Sequence, residues 1–383
     1  MYLKAYIMIR RLIGMAVVAF LVLNAGNATA QKAKDLRYYN VKELVREGKA
    51  HIVNQADYGA GFYTRLPQQM EGKVRQAVWD LGQNSAGIAV VFCTDSKTVG
   101  AKWTLLNNFS MAHMPGTGIR GLDLYSRIDG RWYFTGTAQP NGKESINVFA
   151  RKLSGNKVDY IMYLPLYDGV TELNIGVDST AAFYESQKGR LVNTGKAPIL
   201  FYGTSVTQGG CASRPGMVYT SMVQRNLGVE AINLGFSGNG RMDGVMADAI
   251  AKLKTSAVVI DCLPNCTQQI IKDSADYFVR TIAAADRERP VFLVSNFRFP
   301  AYWLTGDDQA ETERENALWR AVAERLKKEG FKNVRYVDIE GRTMKEAATG
   351  PDYEYTVDGV HLTDLGFMRM GEFYTKMLKK WVR

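Results

Sequence analysis

Histidine is scarce in this chain: three occur among 383 residues, His51, His113 and His361. Cysteine is nearly as rare, with Cys93, Cys211, Cys262 and Cys266 the full complement. Cys262 and Cys266 lack the Cys-x-x-Cys spacing of a zinc site, so with so few histidines a structural metal is not expected. Four cysteines are also too few to frame so long a chain by disulfides. A single bridge from Cys211 to Cys262 or Cys266, or four buried free thiols, both stay open. The chain has no internal repeat and no low-complexity tract. Its formal charge of +10 comes from Lys and Arg interspersed with acids, which speaks for solubility and against a nucleic-acid footprint.

The first thirty residues carry an export pattern. Lys4, Arg10 and Arg11 are followed by an apolar run, Leu12 to Leu23, too short to span a bilayer comfortably, and Ala28-Thr29-Ala30 offers small residues for cleavage. The mature chain is expected to start near Gln31, to be periplasmic or secreted, and to insert in no membrane once the signal is removed. An uncleaved anchor is the other reading of the same run.

Periodicity divides the remainder in two. Up to about Ala197, short β-type runs rich in Val, Ile, Tyr, Phe and Trp (Ala86 to Thr94, Ala101 to Leu106, Leu122 to Ile128, Trp132 to Thr135, Lys157 to Leu166) alternate with turns such as Asp129-Gly130 and Asn141-Gly142. This is an all-β sandwich pattern. After Pro198, apolar strands (Pro198 to Ser205, Ala231 to Gly235, Ala257 to Leu263, Val291 to Asn296, Arg335 to Ile339) alternate with amphipathic segments (Met217 to Leu227, Asp243 to Leu253, Thr267 to Ala285, Gln309 to Glu329, Asp364 to Val382). That grammar predicts a parallel, doubly wound α/β sheet with helices on both faces. The expected organisation is a signal over 1–30, a β-sandwich over 31–195 and an α/β domain over 196–383, with the boundary between Gly189 and Ala197.

Open parallel sheets bind ligands at the carboxyl ends of their strands. Ser205 stands there on the glycine-flanked turn Gly203-Thr204-Ser205, Gly235 ends the second strand, Asn265 follows the third, and Asp358-Gly359-Val360-His361 follows the fifth. A serine nucleophile needs a base, and His361 is the only histidine of this half. Asp358 lies three residues before it, within reach of Nδ1. The backbone N–H groups of Ser205 and Gly235 and the Asn265 amide can supply an oxyanion hole. Other readings stay available: Gly235 as a turn glycine, Asn265 as a helix cap, and Ser237 as a rival nucleophile, which lacks the Gly-x-Ser-x-Gly elbow. Asn296, Arg298, Tyr302 and Trp303 mix polar donors with aromatic faces and are candidate substrate contacts, against the reading that Phe297, Phe299 and Trp303 only pack under a loop. The loops about Ser205, with Gly, Ser, Asn, Gln and Arg214, suggest small polar walls and a small acyl group.

These segments resemble the four blocks of the SGNH or GDSL hydrolases, with Ser205, Gly235, Asn265 and His361 at the four named positions and Asp358 as the acid of the final Asp-x-x-His. Thr204 departs from the Asp of Gly-Asp-Ser, and Leu263 and Cys266 depart from Gly-x-Asn-Asp. Gly121-Leu122-Asp123-Leu124-Tyr125 looks like the Gly-x-Asp-Leu-Tyr signature of a β-rich domain that precedes such hydrolases. The resemblance implies a flavodoxin-like three-layer SGNH domain behind a jelly-roll-like sandwich. It implies an ester hydrolase working through an acyl-enzyme with no cofactor. Two-domain carbohydrate acetyl esterases share this plan, so an acetyl ester on a glycan is the expected substrate. A lipid or thioester hydrolase and a non-catalytic glycan-binding protein are the alternatives. The short linker before Pro198 favours a sandwich that walls the active site over one that moves independently.

Overall fold

Strands that bury one face and wet the other must find a second sheet to cover that face, and the first half of the chain supplies two such sheets. The computed structural model describes residues 33–56, 60–185, 195–297, 306–339 and 354–382. Among the described residues of the first half lie ten strands: β1 (Arg37–Asn40), β2 (Ala50–Val53), β3 (Ala89–Thr94), β4 (Val99–Leu105), β5 (Leu122–Ile128), β6 (Arg131–Ala138), β7 (Glu144–Ala150), β8 (Val158–Tyr163), β9 (Val170–Val177) and β10 (Phe183–Tyr184). One antiparallel sheet runs β1-β9-β4-β7 and the other β10-β3-β8-β5-β6, with β2 on β3. Trp103 and Ile175 from the first meet Phe92, Leu124 and Met162 from the second in one core. At the β5–β6 turn, Asp129 and Gly130 both take positive φ, 49° and 79°, the twist that a two-residue hairpin needs.

The second half is a five-stranded parallel sheet of β11 (Ile199–Gly203), β12 (Ala231–Gly235), β13 (Ala257–Asp261), β14 (Val291–Val294) and β15 (Val334–Val337), ordered β12-β11-β13-β14-β15. This is the doubly wound order expected from the strand and helix alternation. β11, β12 and β13 are buried along their whole length, which is why they read as unbroken apolar runs. Among the described residues the helices of this half are α1 (Ser205–Gln208), α2 (Tyr219–Leu227), α3 (Gly244–Ala251), α4 (Gln268–Ala285), α5 (Gly306–Lys328) and α6 (Asp364–Leu378). On one face Met246, Phe278 and Trp319 bring α3, α4 and α5 onto the sheet. On the other, Tyr219, Val223, Phe367 and Tyr374 do so for α2 and α6. Among the described residues no helix is long and apolar enough to cross a membrane. The expected export segment and most of the expected boundary lie outside the described residues.

A polar seam joins the halves, and the Gly-x-Asp-Leu-Tyr segment is at its centre. Alternation along β5 puts Asp123 and Tyr125 on one side of the strand. There Arg214 Nη1 donates to Asp123 Oδ2 and to the Tyr125 hydroxyl, each at 2.6 Å. The Gly216 N–H donates to the same Asp123 oxygen at 2.9 Å, and Thr137 Oγ1 to the other at 3.0 Å. A β-carbon on Gly216 would stand 2.4 Å from the Tyr125 ring, so only glycine allows this approach. Burial pushes the Asp123 carboxyl above the usual range, while Arg214 pulls it back. Further along, Arg65 donates to the carbonyls of Gly235 and Asn233 at 2.5 and 3.3 Å, and Arg75 clamps Asp243 through two bonds of 2.8 and 2.9 Å. Arg214, expected on a small polar wall near Ser205, is thus engaged in the seam.

Candidate active site

β11 ends at Gly203 and the chain turns at once into α1, whose first residue is Ser205. Thr204 caps that helix, its Oγ1 accepting from the Val206 N–H at 3.3 Å. The Ser205 N–H, at the first helical position, has no acceptor within its own helix. The N–H groups of Gly209 and Gly210 both close onto the Ser205 carbonyl, at 2.9 and 2.7 Å, which fixes the turn. A β-carbon on Gly210 would lie 3.0 Å from His361 Cδ2, so the glycine makes room for the imidazole.

The histidine comes from a narrow loop ahead of α6. Val357 N–H donates to the His361 carbonyl at 2.7 Å, and Thr363 N–H to the Tyr355 carbonyl at 2.8 Å. Inside this loop Asp358 Oδ1 accepts the N–H groups of Val360 and His361 at 3.0 and 2.8 Å. The other oxygen, Oδ2, is thereby aimed at the ring, 2.7 Å from His361 Nδ1. His361 Nε2 in turn lies 2.9 Å from Ser205 Oγ. Burial alone would raise the Asp358 pKa, but the hydrogen bonds from the imidazole and the two backbone N–H groups outweigh it and hold the carboxyl at about 2. Asp364 locks the two loops together by accepting the Ser213 N–H at 2.9 Å and the Ser213 hydroxyl at 2.5 Å. Ser205, Asp358 and His361 are thus brought into one hydrogen-bonded line.

Asn265 closes a single 3-10 turn after β13. The cap of α4 is Thr267, whose Oγ1 accepts the Ile270 N–H at 3.3 Å, so the Asn265 amide has no capping duty. Its Oδ1 is buried and has no hydrogen-bond partner among the described residues. Gly235 corrects the sequence reading: its N–H donates to Asn233 Oδ1 at 2.9 Å and is not free for an oxyanion. Its lack of a side chain serves packing instead, since a β-carbon would fall 2.1 Å from the Gln208 nitrogen of α1. Three residues on, Gly238 has φ +66° and open space where a β-carbon would sit, and its N–H has no acceptor among the described residues. Its N–H is therefore unengaged where the Gly235 N–H is not, a difference the sequence reading did not draw. In the sequence the two glycines of Gly235-Phe236-Ser237-Gly238 differ only in place, one at the strand end and one in the loop beyond it. Ser237, the rival nucleophile, donates its N–H to Gln208 Oε1 at 3.0 Å and has no imidazole partner among the described residues.

The sandwich half reaches this edge as well. Thr117 Oγ1 donates to the Ser213 carbonyl at 2.6 Å, and Gly118 lies so close to Ala212 that a β-carbon would stand 2.2 Å from its carbonyl oxygen. His113, on the same segment, has its ring centre 5.6 Å from that of His361. Elimination by half had set His113 aside. Below the site, Asp261 at the end of β13 accepts the Tyr219 and Tyr374 hydroxyls at 3.1 and 2.9 Å, and burial raises its pKa to about 6.

Three expectations fare differently. Asn296 is 2% exposed, and its backbone is tied to Asn316 of α5 at 2.7 and 3.2 Å, so it is packed beneath α5 and not open to a sugar. Arg298, Tyr302 and Trp303 lie outside the described residues. All four cysteines are free and buried, which removes the Cys211 bridge. Cys211 packs in the core on one face of the sheet and Cys262 and Cys266 in the core on the other, with the sheet between them.

Both halves of the chain are similar to known proteins. Residues 196–379 match the GDSL-like lipase/acylhydrolase family, and residues 36–183 match the GxDLY N-terminus of SGNH-hydrolase-type esterases. No curated protein sequence matches. Among solved structures, a GDSL-like lipase of Bacteroides ovatus is 30% identical with a TM-score of 0.82, the match covering 90% of this chain and 98% of that one. An acetyl xylan esterase of Butyrivibrio proteoclasticus is 9% identical with a TM-score of 0.56, over 90% of this chain and 100% of its own. A family two carbohydrate esterase of Clostridium thermocellum, solved with cellohexaose, is 14% identical with a TM-score of 0.53, over 77% and 94%.

Proposed function

This chain belongs to the GDSL-like lipase/acylhydrolase family of ester-hydrolysing enzymes, and from that premise we propose an exported serine esterase that removes short acyl groups, acetyl foremost, from carbohydrates. The observation that carries the chemistry is the line from Asp358 Oδ2 to His361 Nδ1 at 2.7 Å and from His361 Nε2 to Ser205 Oγ at 2.9 Å. In this reading the Asp358 carboxylate fixes the proton on Nδ1, which leaves Nε2 to take the Ser205 proton as Oγ attacks the ester carbonyl. The Ser205 N–H, the Gly238 N–H and the Asn265 amide hold the oxyanion that develops. His361 returns its proton to the leaving alcohol, and water then releases the acid from the acyl-enzyme by the same route. A carboxylate held ionised down to about pH 2 supports the imidazolium over the working pH range.

Two features support the glycan ester. The solved neighbours named as a carbohydrate esterase and an acetyl xylan esterase pair their chemistry with the same overall fold. The turn that carries Ser205 is built mainly from Gly, Thr, Ser and Gln, a composition that suits a small polar acyl group better than a long apolar one. Export is supported by the cationic, apolar and small-residue succession of the first thirty residues. Purified protein should cleave p-nitrophenyl acetate at least about tenfold faster, in kcat/KM, than the octanoate, and should release acetate from acetylated xylan. Preference for octanoate with no acetate released from any acetylated glycan would turn the assignment to lipid esters and leave the triad standing.

A further inference from the structure

Four side chains of metal-ligating type converge beside Ser205 from three separated stretches of chain. His113 comes from the sandwich half, Cys211 from the loop after α1, and Asp358 and His361 from the loop before α6. One ligand atom from each lies within 4.8 Å of all the others. We propose that this cluster is a reversible Zn²⁺ site that switches the hydrolase off. Imidazole, thiolate and carboxylate together form a donor set that Zn²⁺ favours and that Mg²⁺ and Ca²⁺, which seek oxygen alone, do not. Bonds of about 2.0 to 2.3 Å in a tetrahedron separate the ligand atoms by roughly 3.3 to 3.8 Å, so closure on the ion asks for a contraction of about 1 Å. Cys211, Asp358 and His361 are held by the loops around them. His113 is exposed and can swing in.

The balance of the binding step is simple. The ion sheds water, the Cys211 thiol gives its proton to solvent, and bonds form from the ion to sulfur, to two imidazole nitrogens and to a carboxylate oxygen. Whichever nitrogen of His361 is taken, the base is lost. On Nε2 the ion displaces Ser205 Oγ, and on Nδ1 it forces the ring proton onto Nε2, which then cannot accept from serine. The inhibition rests on the esterase reading above, whereas the binding does not.

The test uses the full chain. Calorimetric titration with Zn²⁺ is expected to find one ion per chain, and Co²⁺ in its place is expected to show a thiolate-to-cobalt charge-transfer band. Cys211→Ser should abolish that band, weaken Zn²⁺ by roughly tenfold or more, and keep a metal-free hydrolysis rate near that of the wild type. His113→Ala should weaken Zn²⁺ similarly, with its inhibition judged against its own metal-free rate. A protein that fails to hydrolyse any ester still reports through the calorimeter and the cobalt spectrum, which separates failure of this site from failure of the esterase reading. Absence of the band in the wild type, or Zn²⁺ affinity unchanged in either variant, would overturn the proposal.

Discussion

Asp358 keeps 35% of its side chain in solvent, whereas Asp123 keeps none. Both carboxylates face a nitrogen partner, yet they are held in opposite ways. Asp358 is positioned by a loop of a few residues, with two backbone N–H groups and an imidazole all within three positions of it. Asp123 is positioned by Arg214 and Gly216, which lie 91 and 93 residues away. A carboxylate at the water's edge stays ionised at small desolvation cost and can answer a change of charge on its neighbour. A buried one is tolerable only while its cation stays in place, so it reports whether the two halves are docked. The local loop serves chemistry and the long-range pair serves assembly.

The largest effects should come from breaking the first side of this contrast. Ser205→Ala and His361→Ala are each expected to lower kcat/KM by about 10⁴-fold or more without shifting the unfolding midpoint. Asp358→Asn should leave at least as much residual rate as either, because it damages tautomer and charge but not the nucleophile. Wild-type turnover by the Ser205→Ala protein would end the assignment.

Breaking the second side should move stability instead. Asp123→Ala leaves Arg214 half-buried beside Tyr125 with no counter-charge, and a loss on the order of 3 to 5 kcal/mol is expected in denaturant unfolding. The double variant Asp123→Ala with Arg214→Met should recover part of that loss, since removing both charges relieves the one left unpaired. If the double variant is as unstable as the sum of the two singles, the seam is held by packing and not by this pair.

The oxyanion donors sharpen the contrast inside the catalytic edge itself. Asn265→Ala should lower kcat by about 10² to 10³ with little change in stability. Gly235→Ala should do the reverse and compromise folding, since its β-carbon would collide with α1 at 2.1 Å. A kcat loss with normal stability in Gly235→Ala would return that residue to the oxyanion hole.

Legibility in the sequence followed the same division between local and distant. The parallel half could be read strand by strand because β11 to β13 are buried on both faces and announce themselves as apolar runs. The hydrogen-bonded line from Asp358 through His361 to Ser205 could be anticipated because Asp358 and His361 share one loop and a single histidine serves that half. The sandwich was read less completely. β1, β7 and β9 carry Arg37, Glu144, Glu172 and Asn174 on their wet faces, and that polarity hid them. The partners of Asp123 and the approach of His113 to His361 could not be read, because nothing in a sequence shows which distant loop lies against which strand. Gly235 and Gly238 present the same residue type three positions apart, and only the bond from the Gly235 N–H to Asn233 tells them apart.

Asp261 offers a third aspartate that tests what the comparison teaches, since it is buried like Asp123 but has two tyrosine hydroxyls in place of a cation. Burial raises its pKa to about 6 in the folded protein, against an ordinary value near 4 once the chain unfolds. Between roughly pH 4 and pH 6 the folded state therefore holds a proton that the unfolded state has released, so stability falls as pH climbs through that window. Above about pH 6 both states are ionised and the full cost, on the order of 3 kcal/mol, is in place. Asp261→Asn keeps an oxygen to accept from Tyr219 and Tyr374 and removes the charge. Its stability relative to wild type should rise in its favour from pH 4 to pH 6.5 and then level off, as read by urea unfolding at each pH. Other carboxylates titrate in both proteins and cancel in the difference. A difference that stays flat across the window would mean that Asp261 is solvated or paired well enough to ionise normally, and that a buried aspartate in this fold needs no cation after all.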